Sequence, residues 1–216
     1  TAFFSAASHE LKTPVTILKG QLSGMLEGVD IYKDRDKYLL RSLQVTGRME
    51  NLIREMLEIS RMQGGSAALN CEQVDLAALI ERQLALDGLL EQRGQRLVTE
   101  LTPGITVSAD VSLLSKVVGN LVANASLYSP EGAEIRVWCG TLQGHPALTV
   151  ENSGAHIAQE ALPHLFEAFY RAEGSRNRST GGSGLGLYLV KVILEKHRAS
   201  CSIENTPQGV RAQVQF

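Results

Sequence analysis

His9 stands in the run Ser8-His9-Glu10-Leu11-Lys12-Thr13-Pro14, which offers a nucleophile, a carboxylate and a hydroxyl within two helical turns. On a helix His9 and Thr13, four apart, share a face, and Glu10 lies about 100° around from His9. A neutral imidazole is a competent nucleophile near neutrality, its reference pKa being about 6.5, and it can accept a phosphoryl group. The adjacent carboxylate can take or orient the proton on the ring nitrogen that does not attack. Pro14 removes the amide that would bond the Glu10 carbonyl, which predicts a bend just past the reactive turn. A zinc-protease reading, HExxH, fails because Thr13 occupies the fifth position. His145, His156, His164 and His197 lack such a context and read as structural or surface residues.

More than a hundred residues later come groups suited to a nucleotide. Asn120 and Asn124 are i, i+4 neighbours, and Tyr128 continues their stripe. An amide oxygen can ligate Mg²⁺ without adding charge, which suits a metal already bound to a triphosphate. Tyr128 offers a flat face to a purine. Asn152 follows a strand pattern and can accept from an adenine exocyclic amine, while Gly154 lets backbone approach the base. Gly182, Gly184, Leu185 and Gly186 open a helix whose head can receive phosphate oxygens. No Gly-Lys-Ser/Thr follows and Leu187 replaces the last glycine of GxGxxG, so this is neither a Walker loop nor a dinucleotide fingerprint. Arg171 is the best candidate to neutralise a γ-phosphate, ahead of Arg176 and Arg178.

These groups need elements to position them. Residues 1–26 carry apolar side chains at helical spacing, Gly28 stops that pattern, and residues 29–34 connect to a second helix ending near Met62. In the latter Tyr38, Val45, Leu52 and Ile59 recur every seven residues, with Met49 and Met56 between. Two antiparallel helices cannot cover such seams alone, so pairing into a four-helix bundle is expected; packing of the hairpin on its own C-terminal part is the alternative. Residues 63–68 read as a flexible linker. Beyond it, strands are predicted over 71–74, 96–101, 105–109, 134–139, 147–151, 200–204 and 210–214, and helices over 76–91, 111–128 and 187–197. The mixture implies an α+β layer with helices over one sheet face. Residues 172–183, rich in Gly, Ser and Arg, read as a mobile lid.

The 216 residues allow one large domain or two small ones, and 44% hydrophobic with 20% charged residues fits a globular chain. A formal charge of -2 gives no basic excess with which to hold nucleic acid. Three scattered cysteines without CxxC spacing imply reduced, structural thiols of a cytosolic setting. No apolar run is long enough to span a bilayer, and the abrupt start within a helical pattern implies a piece of something longer.

Taken in order, these residues resemble the transmitter core of bacterial sensor histidine kinases, over nearly the whole chain. Residues 8–14 are similar to that family's H box, 120–130 to its N box, 151–157 to its first glycine box, 165–171 to its F box and 182–187 to its second glycine box. The hairpin further resembles the vancomycin-resistance sensor kinases. The resemblance implies an α+β chain: a helical hairpin dimerising into a four-helix bundle (1–66), then an α/β sandwich ATP-binding domain of the gyrase/Hsp90 kind (70–216). It implies ATP and Mg²⁺ as cofactors, with Asn120 and Asn124 on the metal. The γ-phosphoryl would pass to His9 with Glu10 as base, then to an aspartate of a response regulator. Thr13 would orient water when the same bundle dephosphorylates the regulator. It also implies a homodimer, forming the cytoplasmic portion of a membrane-anchored sensor. Three positions depart from the family pattern: Asn152 replaces an aspartate, His156 a glycine, and Leu127 a lysine. Two rivals remain open here: a non-catalytic dimeric scaffold for the regulator, and a gyrase/Hsp90-type ATPase, which leaves the His9 turn without a purpose.

Overall fold

A computed structural model describes residues 2–64, 68–85, 88–172 and 182–216. The first helix, α1 (Ala2–Leu26), runs unbroken through Pro14, so the missing amide interrupts one bond without ending the helix. Gly28, at φ 70°, supplies the left-handed residue that turns the chain. After a short 3₁₀ turn at Asp30–Tyr32, α2 (Arg35–Gln63) begins where Asp34 accepts from the Lys37 amide at 3.1 Å. Ser42 Oγ donates to Gln21 Oε1 at 2.7 Å and fixes the antiparallel register, which sets His9 level with Arg54. Tyr38, Leu52 and Ile59 of the seven-residue pattern are buried, and Val45, Met49 and Met56 half-buried.

The rest folds as two layers. Strands β1 (Cys71–Asp75) and β3 (Thr106–Asp110) form a small antiparallel pair. The main sheet holds β2 (Arg96–Leu101), β4 (Glu134–Leu142), β5 (His145–Ser153), β6 (Ser200–Asn205) and β7 (Gly209–Gln215), in the order β2-β4-β5-β7-β6. Only the β2–β4 pairing is parallel. The tight β4–β5 turn uses Gln143 and Gly144, both at positive φ, the backbone a two-residue hairpin requires. Period-two alternation sends Ile135, Val137, Cys139, Leu148, Val150, Ala212 and Val214 into one core. There they meet Val117, Leu121 and Val122 of α5 (Val111–Leu127) and Leu189, Val190 and Ile193 of α6 (Gly186–Lys196). The opposite face carries Arg136, Glu151, Arg211 and Glu204 in register across four strands, with Arg211 Nη2 2.9 Å from Glu151 Oε2. These pairs are partly exposed, each worth about 0–1 kcal/mol.

All seven expected strands are present, with ends shifted by a few residues. The single helix expected over 76–91 is instead α3 (Leu76–Ala85) and the one-turn α4 (Leu89–Gln92). Gly88 is the N-cap of α4; a glycine inside a helix costs about 1 kcal/mol relative to alanine, which favours a break there. The linker core (65–67) and most of the expected lid, including Arg176, Arg178 and Gly181, lie outside the described residues.

The head of α5 is held from two sides. Asp110 caps it by accepting from the Leu113 amide at 3.1 Å, and His197, just past α6, accepts from the Asp110 amide at 3.0 Å through Nε2. His197 Nδ1 lies 2.7 Å from the Ile193 carbonyl, so the neutral Nδ1–H tautomer satisfies both contacts. His197→Ala should cost about 1–3 kcal/mol, the penalty for orphaning a half-buried amide, read as a lowered denaturant midpoint.

Candidate functional site

The asparagine helix α5 and the head of α6 meet in one cleft. Asn120 Nδ2 donates to the Lys116 carbonyl at 2.9 Å, which turns Oδ1 the other way, toward α6. A Cβ built on Gly186 would lie 2.9 Å from that oxygen, so a larger residue there would push the Asn120 amide aside. The N-cap of α6 is Leu185, which makes no side-chain cap bond; its own amide donates to Ser183 Oγ at 3.1 Å, and the amides of the first turn are left to receive an anion. Gly182 faces Tyr128 Oη and Leu127 Cδ2, at 3.6 and 3.8 Å from a built Cβ. Gly184, at φ 74°, accepts from the Phe169 amide at 2.9 Å. Asn120 of the stripe therefore meets Gly186, and Tyr128 stands beside Gly182. The Leu185 side chain is fully buried, so it anchors the loop from behind and does not line the cleft. Leu127 contributes only an apolar contact, its Cδ2 3.8 Å from a Cβ built on Gly182.

At the other end, Asn152 shares the inner face with Val150 and is 5% exposed. Its Nδ2 donates to Ser129 Oγ at 2.7 Å. Gly154, at φ 75°, donates its amide to the Gln208 carbonyl at 2.9 Å and backs onto Pro130. Arg171 is half-buried beside the last residue described before the gap.

Among the described residues no three His, Cys, Asp or Glu side chains cluster as a metal site. A cation here would draw on amide oxygens and on the phosphates, and Asn120 Oδ1 is turned correctly for that.

On α1, the His9 side chain is 81% exposed and its Nδ1 is 4.0 Å from Glu10 Oε1, an ion-pair distance longer than a hydrogen bond. Thr13 is exposed. Ser8 Oγ is spent on the Phe4 carbonyl at 2.9 Å, leaving His9 as the free nucleophile of the run.

Five contacts that sequence reasoning missed join the cleft to the hairpin. Phe3 stacks on Tyr188 with centroids 5.9 Å apart and lies 5.5 Å from the Phe169 ring. Gln63 Nε2 donates to Tyr188 Oη at 2.7 Å. Ser183 Oγ, in the glycine loop, donates to Glu55 Oε2 at 2.5 Å, and Lys116, one turn before Asn120, pairs with Glu58. Only Ser183 carried a signal, its place between two glycines.

Burial pushes the Glu55 carboxyl above its ordinary value, with the Glu58 charge adding to the rise and the Ser183 bond opposing it. The docked arrangement thus binds the Glu55 proton more tightly than an undocked one. Its stability is greatest below the ordinary glutamate pKa and falls as pH rises toward the elevated value. Energy transfer between dyes on α2 and β6 should report more docking in mild acid, and Glu55→Gln should flatten the response.

Residues 109–216 match the family described as histidine kinase-, DNA gyrase B- and HSP90-like ATPase, and residues 1–65 match the His Kinase A (phospho-acceptor) domain. The chain is 37% identical over 209 residues to the sensor protein VanSB of Enterococcus faecalis, covering 96% of this chain and 47% of that protein. The solved histidine kinase AdeS of Acinetobacter baumannii superposes with a TM-score of 0.77 at 25% identity, over 96% of each chain. The histidine kinase ThkA, solved with the response regulator TrrA, shares the fold at a TM-score of 0.80 and 23% identity, over 100% of this chain and 61% of that one. The chain belongs to the sensor histidine kinase family, with a phospho-acceptor hairpin and an ATPase-type sheet domain. It spans about half the length of the curated relatives it matches.

Proposed function

We propose that this chain is the catalytic core of a two-component sensor histidine kinase, with 1–66 as dimerisation and phosphotransfer domain and 70–216 as ATP-binding domain. The carrying observation is that the glycine loop and the Asn120 amide converge at the head of α6, while Ser183 of that loop touches the hairpin at Glu55, one position from the level of His9. In this reading the base lies between Tyr128 and Asn152 with Gly154 beneath it, and the phosphates lie at Gly182, Gly184 and Gly186 with Arg171 facing them. Asn124 and Asn120 hold Mg²⁺, which supplies neutralisation of phosphate charge when bound.

Nδ1 of His9 faces Glu10, so Nε2 attacks the γ-phosphorus. The P–O bond to the leaving diphosphate breaks with its electron pair on oxygen, and the Nδ1 proton passes to Glu10. The regulator's aspartate then takes the phosphoryl group, and Thr13 orients water for the reverse, dephosphorylating task. Phe4, Val15, Leu22, Leu39, Leu43, Ile53 and Leu57 leave an apolar surface on the hairpin, between 41% and 70% exposed. A second copy of the hairpin would bury it in a four-helix bundle. Among the described residues no helix is long and apolar enough to cross a membrane; we place the whole protein at a membrane, this part on its cytoplasmic side, from kinship with sensor proteins.

Calorimetric titration with Mg²⁺ and the imido analogue of ATP, run beside labelling from γ-labelled ATP, tests the reading. Saturable binding with acid-labile, base-stable label supports it. Absence of binding at millimolar nucleotide leaves a docking scaffold instead.

A further inference from the structure

The ATP-site reading above, on which this inference rests, leaves one question: what decides which purine the buried amide of Asn152 accepts. The answer lies in the last turn of α5. The Ser129 amide bonds the Ser126 carbonyl at 3.3 Å, so the buried Ala125 carbonyl receives its bond from Ser129 Oγ instead, at 2.6 Å. A serine hydroxyl has one proton, and it is committed to Ala125. Whatever else touches Oγ must therefore donate, and the Asn152 amide, 2.7 Å away, turns its NH₂ toward it. Oδ1 consequently points away from Ser129, and no described residue bonds it. Ser129 cannot swing to relax this. It is 4% exposed, its carbonyl accepts from Arg93 Nη2 at 3.0 Å, and Gln95 clamps the same turn. Gln95 Nε2 donates to the Ser126 and Pro130 carbonyls at 3.0 and 3.2 Å, while Ser126 Oγ donates back to Gln95 Oε1 at 2.6 Å.

We propose that Ser129 is the positioning residue for purine choice: through Ala125 it holds the Asn152 amide with its oxygen presented to the base. Adenine, which offers an exocyclic N–H there, is accepted. Guanine offers an exocyclic carbonyl and is refused, because two acceptors face each other. A carboxylate at position 152 needs no such device, since its two oxygens are equivalent. The amide needs an orienting partner, and Ser129 is that partner.

The test compares binding of the Mg²⁺ complexes of the imido analogues of ATP and GTP to the whole chain and three variants. Ser129→Ala frees the amide to rotate, and the ATP-over-GTP preference should fall by about tenfold or more, through weaker ATP and stronger GTP binding. Ser129→Thr keeps the hydroxyl and should restore the preference, which separates orientation from any loss of fold. Adding Ser129→Ala to Asn152→Asp should leave that variant's preference where it was, because a symmetric carboxylate cannot be flipped. An unchanged preference in Ser129→Ala, with ATP bound normally by the unaltered chain, overturns this inference alone. An equal drop in the Asn152→Asp background also overturns it, as the effect would then be packing. If the unaltered chain binds neither analogue, the nucleotide-site reading fails and the inference falls with it.

Discussion

His9→Gln removes all acid-labile, base-stable label acquired from γ-labelled ATP, while nucleotide binding stays within about twofold. The first half follows from chemistry. A phosphoryl group on imidazole is a phosphoramidate, hydrolysed by acid and resistant to base, and glutamine has no nucleophilic nitrogen. The second half follows from placement: among the described residues, His9 contacts only its own helix, 4.0 Å from Glu10, and is 81% exposed. Two of the other histidines are already engaged. His197 has both nitrogens committed to Asp110 and Ile193, and His164 sits 2.7 Å from Glu167, its ring beside Tyr170. Thr13→Ala should keep the label and lose regulator dephosphorylation by roughly 10²-fold, the usual scale for losing a positioned proton-transfer or water-orienting group. Label persisting in His9→Gln defeats the assignment of the acceptor.

What could be read before any coordinates were known follows physical periodicity. The seven strands announced themselves by alternation, but the predicted strand stopped at residue 151, so the inward place of Asn152 on β5, two residues after Val150, was not read. The Asn120–Asn124–Tyr128 stripe is simply the i, i+4 rule on one helix. Other features depend on contacts between segments far apart in the chain, for which spacing has no vocabulary. Nothing near Glu55 or Gln63 says that Ser183 and Tyr188 will meet them across more than a hundred residues. Leu185 shows where a side-chain reading of the loop stops. A leucine between two loop glycines invites a lining role, yet its bulk is spent holding the loop to the core. The break between α3 and α4 was missed because the apolar pattern continues through Leu89 and Leu90 while Gly88 weakens the helix locally.

The same loop carries the second large expected effect, and there the prediction rests on geometry alone. Gly184→Ala should reduce Mg²⁺–ATP affinity by about two orders of magnitude, whereas Gly182→Ala should change it by no more than about threefold. At Gly184 the backbone is left-handed, φ 74°, which costs an alanine roughly 1–2 kcal/mol. A Cβ there would also stand 2.8 to 3.1 Å from the C, Cα and O atoms of Phe169. Those are backbone atoms, and they cannot yield easily. Phe169 donates its amide to Gly184 O at 2.9 Å, is itself held at φ 66°, and has its ring against Phe3. Overpacking of this kind adds about 1–3 kcal/mol unless the chain moves. Any shift would displace residues 182–185 at the head of α6, where the phosphates are proposed to lie. At Gly182 φ is ordinary and the nearest atoms are 3.6 and 3.8 Å away, normal van der Waals separations. The pair of variants therefore distinguishes a loop whose shape binds the nucleotide from one that merely contains glycine. Equal, small losses at both positions would show that the phosphates are held elsewhere, and near-complete loss at Gly182 with none at Gly184 would reverse the assignment of the loop's contact edge.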